Sequence, residues 1–290
     1  MGLPVATNLA AAGHAVSATD IRPELAEAAG AAGLTWCAAP NMVASRAHVL
    51  MTMLPGPVEC RDAVLGENGA LNGLRPGSTW IDLTSNSPPV GAMIAARVRQ
   101  RGIDVLEAPV GGGIEAAVDG SLTLFVGGDA VLLRQHRPLL EIISSEIQHV
   151  GPAGAGYVTK LIVNQLWFGN AVATAEVLLL AGRLGLDLTA LQAVLAGSSA
   201  GSEFIRDYLP NLLAGDYLPS FPIDRVVEEL QAVSDLAHSH DVPFTVNAAV
   251  LAVHQRAAER YGPVDGELLA AALLEEQAQL LIRGKPGAPG

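Results

Sequence analysis

The sequence predicts an α/β fold: a doubly wound parallel sheet in the first half, followed by an all-helical second half. Three observations carry this. Short strand-like runs alternate with helical stretches as far as Val150. Glycines fall just past the ends of those helices. Beyond Gly151 the strand-like runs stop and long apolar-periodic segments take over.

Ala15–Thr19, His48–Met53, Ser78–Asp82 and Asp104–Glu107 are rich in β-branched and apolar residues and read as strands. Pro4–Ala12, Pro23–Ala32, Pro57–Leu65 and Pro89–Arg101 read as the intervening helices, each opened by a proline, which a helix start tolerates. Gly13, Gly33 and Gly102 follow helices where a left-handed C-terminal residue is needed. Leu122–Val126 and Glu146–Val150 read as late strands of the same sheet. The second half reads as helices over Ala155–Leu184, Leu188–Leu195, Ser202–Leu213, Ile223–His238, Pro243–Arg260 and Gly266–Ile282. This gives two domains, residues 1–151 and 152–290, with Gly284–Gly290 as a frayed Gly/Pro tail.

Half of the 290 residues are apolar and 16% are charged, enough apolar material for large cores. The formal net charge is −12 and no basic stripe occurs, which gives nucleic-acid binding no electrostatic support. Cys37 and Cys60 form neither a metal-spaced pair nor a disulfide framework and read as buried thiols. The chain opens Met-Gly-Leu-Pro, without a basic-then-apolar leader. The apolar run Leu161–Gly182 contains Asn164, Gln165, Asn170, Thr174 and Glu176, which a bilayer interior penalises, so it reads as a core helix. The expectation is a cytoplasmic protein without membrane contact.

One residue stands out chemically. Of 17 basic residues only two are lysines, Lys160 and Lys285, and Lys285 sits in the tail. Arginine stays protonated, whereas a desolvated lysine can release and regain a proton near neutral pH. Lys160 is therefore a candidate acid/base, against the plainer alternative of a solvated helix residue.

In a doubly wound fold a dinucleotide lies at the carboxyl ends of the strands. Its pyrophosphate rests on a Gly-rich turn, and an acidic residue about 20 positions on takes the ribose. Asp20 follows a strand and lies 18 residues after Gly2. If Gly2 is the last glycine of that turn, the sequence begins inside its own phosphate loop. A truncated chain, a misassigned start and a true loss of the first strand all fit this. The last would remove the central strand of the sheet. Asp20 favours NAD over NADP, and the neighbouring Arg22 weakens that preference.

Five segments, spread in order over most of the chain, resemble the β-hydroxyacid dehydrogenases, the group containing 3-hydroxyisobutyrate dehydrogenase and tartronate semialdehyde reductase. Met1–His14 resembles the first helix after the family's Gly-rich loop. Met53-Leu54-Pro55 resembles the strand end against the cofactor. Asp82-Leu-Thr-Ser-Asn-Ser-Pro88 resembles the family's Asp-x-Ser-Thr-x-x-Pro, its Thr position falling on Ser85. Ala108–Gly128 resembles the substrate loop, and Gly151-x-x-Gly-x-Gly-x-x-x-Lys160-x-x-x-Asn164 the catalytic helix.

The resemblance implies a Rossmann-like N-terminal domain and a helical domain for substrate and dimerisation. It also implies hydride transfer between NAD or NADP and a small hydroxyacid-like substrate or a related alcohol or carbonyl. Lys160 would be the general acid/base. Asn164, one helical turn on, would orient Lys160 or hold the substrate. Gly111, Gly112 and Gly113 would turn backbone amides toward the substrate; a flexible surface turn is the plainer alternative. Gly2, Asp20, Arg22, Leu54, Pro55, Ser85 and Glu228 would line the cofactor.

This sequence departs from the family pattern in three places. Gly111 replaces the serine of Ser-Gly-Gly. Ala116 stands where a glycine is usual, beside Glu115. Glu228-Glu229-Leu230 stands where Lys-Asp-Leu is usual, so an anion replaces a cation. A substrate carboxylate is then expected to be repelled by about 1 kcal/mol or more, which points to a bulkier, neutral or amine-like substrate. Imine reduction and a catalytically impaired cofactor-binding scaffold stay open as alternatives; Lys160 speaks against both. A phosphogluconate substrate needs a basic cluster that the second half lacks. The apolar helix Leu161–Leu184 suggests enclosure by a partner, giving a homodimer or homotetramer.

Overall fold

The computed structural model describes residues 1–284; the Gly/Pro tail with Lys285 otherwise lies outside the described residues. The chain divides into two compact units, Met1–Lys160 and Leu161–Gly290.

In the first unit, helix α1 (Gly2–Ala11) leads to strand β1 (Ser17–Ala18), helix α2 (Leu25–Ala31), strand β2 (Thr35–Trp36) and helix α3 (Pro40–Ala44). Strand β3 (Val49–Thr52), helix α4 (Pro57–Leu65), strand β4 (Thr79–Asp82), helix α5 (Pro88–Arg99) and strand β5 (Asp104–Glu107) continue the alternation. Strand β6 (Val110–Gly111), helix α6 (Gly113–Asp119), strand β7 (Leu122–Gly127), helix α7 (Ala130–Leu140) and strand β8 (Ser144–Gly151) complete it. β1 and β2 pair in parallel as a two-stranded sheet. β3, β4 and β5 pair in parallel, with Asp82 opposite Glu107 at their carboxyl ends. β7 then runs antiparallel to β5 and β6, and parallel to β8. The parallel pairs are thus β1–β2, which stand as their own sheet, and β3–β4–β5; the larger sheet turns mixed after the short β5-to-β6 connection, which is too brief for a crossover helix.

Gly13, Gly33 and Gly102 take φ of 93°, 79° and 72°, the left-handed conformation expected after helices. Two apolar layers flank the sheet. One holds Val5, Leu9, Ile81, Leu106, Leu122, Leu124 and Val126, with Val16, Val49 and Met51 packed on it. The other holds Cys60, Val64, Trp80, Ile94 and Val105. Both cysteines are free and buried.

The long helix α8 (Ala155–Arg183) begins in the first unit and continues into the second. Helix α9 (Leu188–Ala196) follows. A π-helical turn at Phe204–Tyr208 then runs into helix α10 (Leu209–Ala214), where the sequence suggested one uninterrupted helix. Helices α11 (Ile223–Ser239), α12 (Thr245–Tyr261) and α13 (Leu269–Ala278) complete the second unit. The last helix was expected to reach Ile282 and instead stops at Ala278. Gln279 turns left-handed at φ 50°, and the buried Glu275 carboxylate draws the chain back by accepting from Ile282 N at 2.6 Å and Arg283 Nη1 at 2.8 Å. No helix among the described residues is long and apolar enough to cross a membrane.

Candidate active site

The carboxyl ends of β4 and β5 carry two buried acids. Asp82 is fully buried. Its Oδ1 accepts from Thr52 Oγ1 at 2.8 Å and Thr84 N at 3.1 Å. Its Oδ2 accepts from Tyr157 OH at 2.8 Å, Asn86 Nδ2 at 3.1 Å and Cys60 Sγ at 3.5 Å. Five donors on one carboxylate are what an anion needs to persist without solvent. Burial, followed by the Asp82 charge, pushes the Cys60 thiol and the Tyr157 hydroxyl far up, so both stay protonated donors.

Glu107 lies next to Asp82 in the sheet register. Both of its carboxylate oxygens accept from Gly154 N at 2.7 Å. It thereby caps the start of α8 from a neighbouring strand. The helix-start amide of the Gly151-x-x-Gly-x-Gly run is thus engaged by a protein carboxylate. Burial raises the Glu107 pKa; the bond from Gly154 opposes this.

Lys160 lies on α8, half-buried, one turn after the fully buried Tyr157. Residues three apart on a helix share a face, so Lys160 follows Tyr157 on the side of the helix that meets the strand ends. In open α/β sheets that is where ligands sit. Asn164, one further turn along and in the second unit, donates through Nδ2 to Glu229 Oε2 at 2.5 Å.

The cofactor candidates fall into two groups in the first unit. Gly2 is the first residue of α1, and a Cβ there would lie 3.9 Å from the Met53 carbonyl oxygen. This sets the start of α1 beside Leu54 and Pro55. Leu54 N donates to Thr84 Oγ1 at 3.2 Å, which ties that strand end to the Asp82–Pro88 loop. Ser85 is half-buried in the loop. Thr84 and Asn86, not singled out from the sequence, make its hydrogen bonds; the signal was their spacing of two and four from Asp82. Asp20 and Arg22, just after β1, form a bidentate pair, Nε to Oδ1 and Nη2 to Oδ2 both at 3.0 Å. Arg22 holds the Asp20 carboxyl below its usual range.

Gly111 pairs in β6 against Thr123, and a Cβ there would lie 3.5 Å from the Phe125 ring. Gly112 takes φ 107° and Gly113 φ 70°, where the chain turns into α6. The three glycines form the turn between β6 and α6, with Gly112 and Gly113 exposed. In the second unit Glu228 is exposed and pairs with Arg225 one turn earlier, Nη1 to Oε2 at 2.8 Å. The acid at that position thus carries a cation of its own, which weakens the ground for expecting a carboxylate substrate to be repelled.

These residues fit a nicotinamide dinucleotide. An acceptor–cation pair follows β1, and among the described residues no side chain caps α1, leaving its first amides for a phosphate. The family model for the NAD-binding domain of 6-phosphogluconate dehydrogenase matches residues 1–151. That for the NAD-binding region of NADP-dependent 3-hydroxyisobutyrate dehydrogenase matches residues 154–273. L-threonate dehydrogenase of Cupriavidus necator is 33% identical over 251 residues, covering 86% of this chain and 84% of that one. NAD-dependent L-serine dehydrogenase of Pseudomonas aeruginosa is 35% identical over 210 residues, covering 72% and 70%. Among solved structures, Mycobacterium tuberculosis 3-hydroxyisobutyrate dehydrogenase with L-serine superposes at a TM-score of 0.85 with 28% identity, covering 94% of this chain and 95% of that one. A Streptomyces aurantiacus imine reductase, at 20% identity and a TM-score of 0.58, shares the fold alone. With one family model over its first half, another over most of its second, and relatives above 30% identity along most of its length, the chain belongs to the β-hydroxyacid dehydrogenases of the 3-hydroxyisobutyrate type, NAD(P)-dependent dehydrogenases.

Proposed function

We propose that this dehydrogenase interconverts a small polar hydroxyacid, or a closely related alcohol, and its carbonyl form, with Lys160 as the general acid/base. The single observation behind this is the half-buried Lys160 placed one turn after Tyr157, whose hydroxyl is bound at the carboxyl end of β4. NAD or NADP, when bound, supplies or accepts the hydride. Lys160 Nζ then gives a proton to the substrate oxygen in reduction and takes one in oxidation. Asn164, held by Glu229, orients the substrate or the lysine. The Gly111–Gly113 turn offers backbone amides to the substrate's acid group.

For the cofactor, Gly2, Asp20, Arg22, Leu54, Pro55 and Ser85 line the dinucleotide on the first unit. Asp20 supports NAD; its pairing with Arg22 keeps NADP accessible. Relatives named for L-threonate and L-serine set the substrates to try first. A homo-oligomer is proposed from α8, where Ile162, Leu166, Val177, Leu180 and Leu184 beyond its end are exposed at helical spacing. The expected compartment is the cytoplasm.

The test is turnover of L-serine, L-threonate, 3-hydroxyisobutyrate and a neutral alcohol with either cofactor, for wild type, Lys160→Ala and Lys160→Arg. Both variants should lose about 10²–10⁴-fold in turnover while cofactor affinity holds. Substantial turnover by Lys160→Ala would remove Lys160 from the chemistry.

A further inference from the structure

The first turn of α8 is seated in a socket assembled from three strands and a helix. Tyr157 OH reaches Asp82 Oδ2 on β4 at 2.8 Å, and Gly154 N reaches Glu107 on β5 at 2.7 Å. The Tyr157 ring fills a notch in α5: a Cβ on Gly91 would lie 2.3 Å from Tyr157 Cε2. On β7, a Cβ at Gly127 would lie 2.6 Å from Gly156 N and 2.7 Å from Glu107 Oε2. The reverse holds as well, since a Cβ at Gly156 would lie 2.7 Å from the Phe125 carbonyl oxygen. Asp82 is in turn fixed by Thr52 on β3, whose hydroxyl also accepts from Trp80 Nε1 at 2.8 Å. This turn therefore has contacts through its backbone on β5 and β7 and through the Tyr157 side chain on β4 and α5, with two buried carboxylates as its polar anchors.

We infer that Tyr157 is a positioning residue: by tying the first turn of α8 to Asp82 while Glu107 caps it, it fixes where the Lys160 ammonium stands. This rests on the acid/base reading of Lys160. The physical basis is leverage over a short rigid arm. Lys160 is one helical turn, about 4.5 Å of rise, beyond Tyr157. Helix rotation or sliding at the socket thus passes directly to the ammonium, and a misplacement of about 1 Å can cost on the order of 10²-fold in rate. A bond that served stability alone would need no such convergence on one turn. The anchoring also leaves Asp82 with its negative charge divided among five donors. Loss of the Tyr157 hydroxyl changes both the position of Lys160 and the field around it.

The scarcity of lysine gives a direct probe. Reductive ¹³C-methylation of the whole chain labels Lys160, Lys285 and the amino terminus, and Lys285→Arg assigns the signals. In Tyr157→Phe the Lys160 dimethyl resonance should shift and its titration midpoint should move by ~0.5 unit or more, with the Lys285 signal unchanged. Turnover should fall about 10-fold or more at a near-constant KM and cofactor affinity. Unchanged Lys160 resonance and midpoint, or a turnover loss that only tracks the loss of folded protein, would overturn the inference. Should Tyr157→Phe fold poorly, Gly91→Ala pushes the same ring from its other side while keeping the hydroxyl, and the same Lys160 signal must move. Lys160→Ala separates the two ideas. If it is inactive while Tyr157→Phe behaves as wild type, positioning alone fails. If it stays active, the acid/base reading fails and takes the positioning role with it.

Discussion

Asp82 and Glu107 are register partners on adjacent parallel strands, both buried, and each holds a different part of the first turn of α8. One binds a side-chain hydroxyl and the other a backbone amide. The two acids therefore share a place in the sheet but not a response to mutation.

Asp82→Ala leaves the donors of Thr52, Asn86 and Tyr157 and the Thr84 amide buried without an acceptor. The expected cost is about 3 kcal/mol or more, read as a lowered midpoint in urea unfolding. A loss under about 1 kcal/mol would mean that water or a shifted loop satisfies these donors.

Glu107 gives a pH signature. Burial raises its pKa in the folded state, so its ionisation opposes folding. Its stabilising effect is complete below the ordinary carboxylate pKa and declines as pH rises through the raised value. Glu107→Gln cannot ionise. Its melting temperature should therefore improve relative to wild type as pH rises above the ordinary carboxylate range. A difference that stays flat over this rise would show that the bond from Gly154 cancels the burial penalty.

The Asp20–Arg22 pair bears on cofactor choice. The guanidinium is mostly exposed; a cation suits a ribose 2′-phosphate, while a carboxylate suits a free hydroxyl. Arg22→Ser should weaken NADP by about 10-fold and NAD little; Asp20→Asn should favour NADP by a similar factor. Calorimetric titration with each cofactor measures both. Equal effects on the two cofactors would place this pair away from the ribose.

In the second unit His254 is buried against Phe168, and burial pushes its pKa down to about 4. The unfolded chain binds a proton at higher pH than the folded one, so stability should fall as pH drops from about 6.5 toward that value. The total is about 3 kcal/mol. His254→Phe should flatten this dependence in acid unfolding, whatever it does to stability at neutral pH. A wild-type-like acid profile in the variant would assign the transition to other groups.

Much of this was legible in the sequence. Alternation of β-branched runs with proline-started helices located β3, β4, β5, α4 and α5 to within about a residue or two, because both signals are local. The lysine-poor composition singled out Lys160, and motif order gave the family. Short elements such as β2, α3 and β6 escaped, since two to five residues carry no periodicity. Gln279, which ends α13, escaped because its left-handed turn goes with the bonds from Ile282 and Arg283 to the buried Glu275 carboxylate, which residue type at Gln279 does not announce.

The sequence by itself determined the fold class and the family, and singled out Lys160 as the candidate for proton transfer. These follow from residue type and spacing along the chain. The tertiary structure alone decided that Glu107 engages the Gly154 amide at the start of α8. It likewise decided that Arg225 neutralises Glu228, and that Tyr157 reaches across 75 positions to Asp82. Hydrogen bonds of this kind depend on strand register and helix rotation, which are fixed when the core packs and are not written in any local stretch of residues.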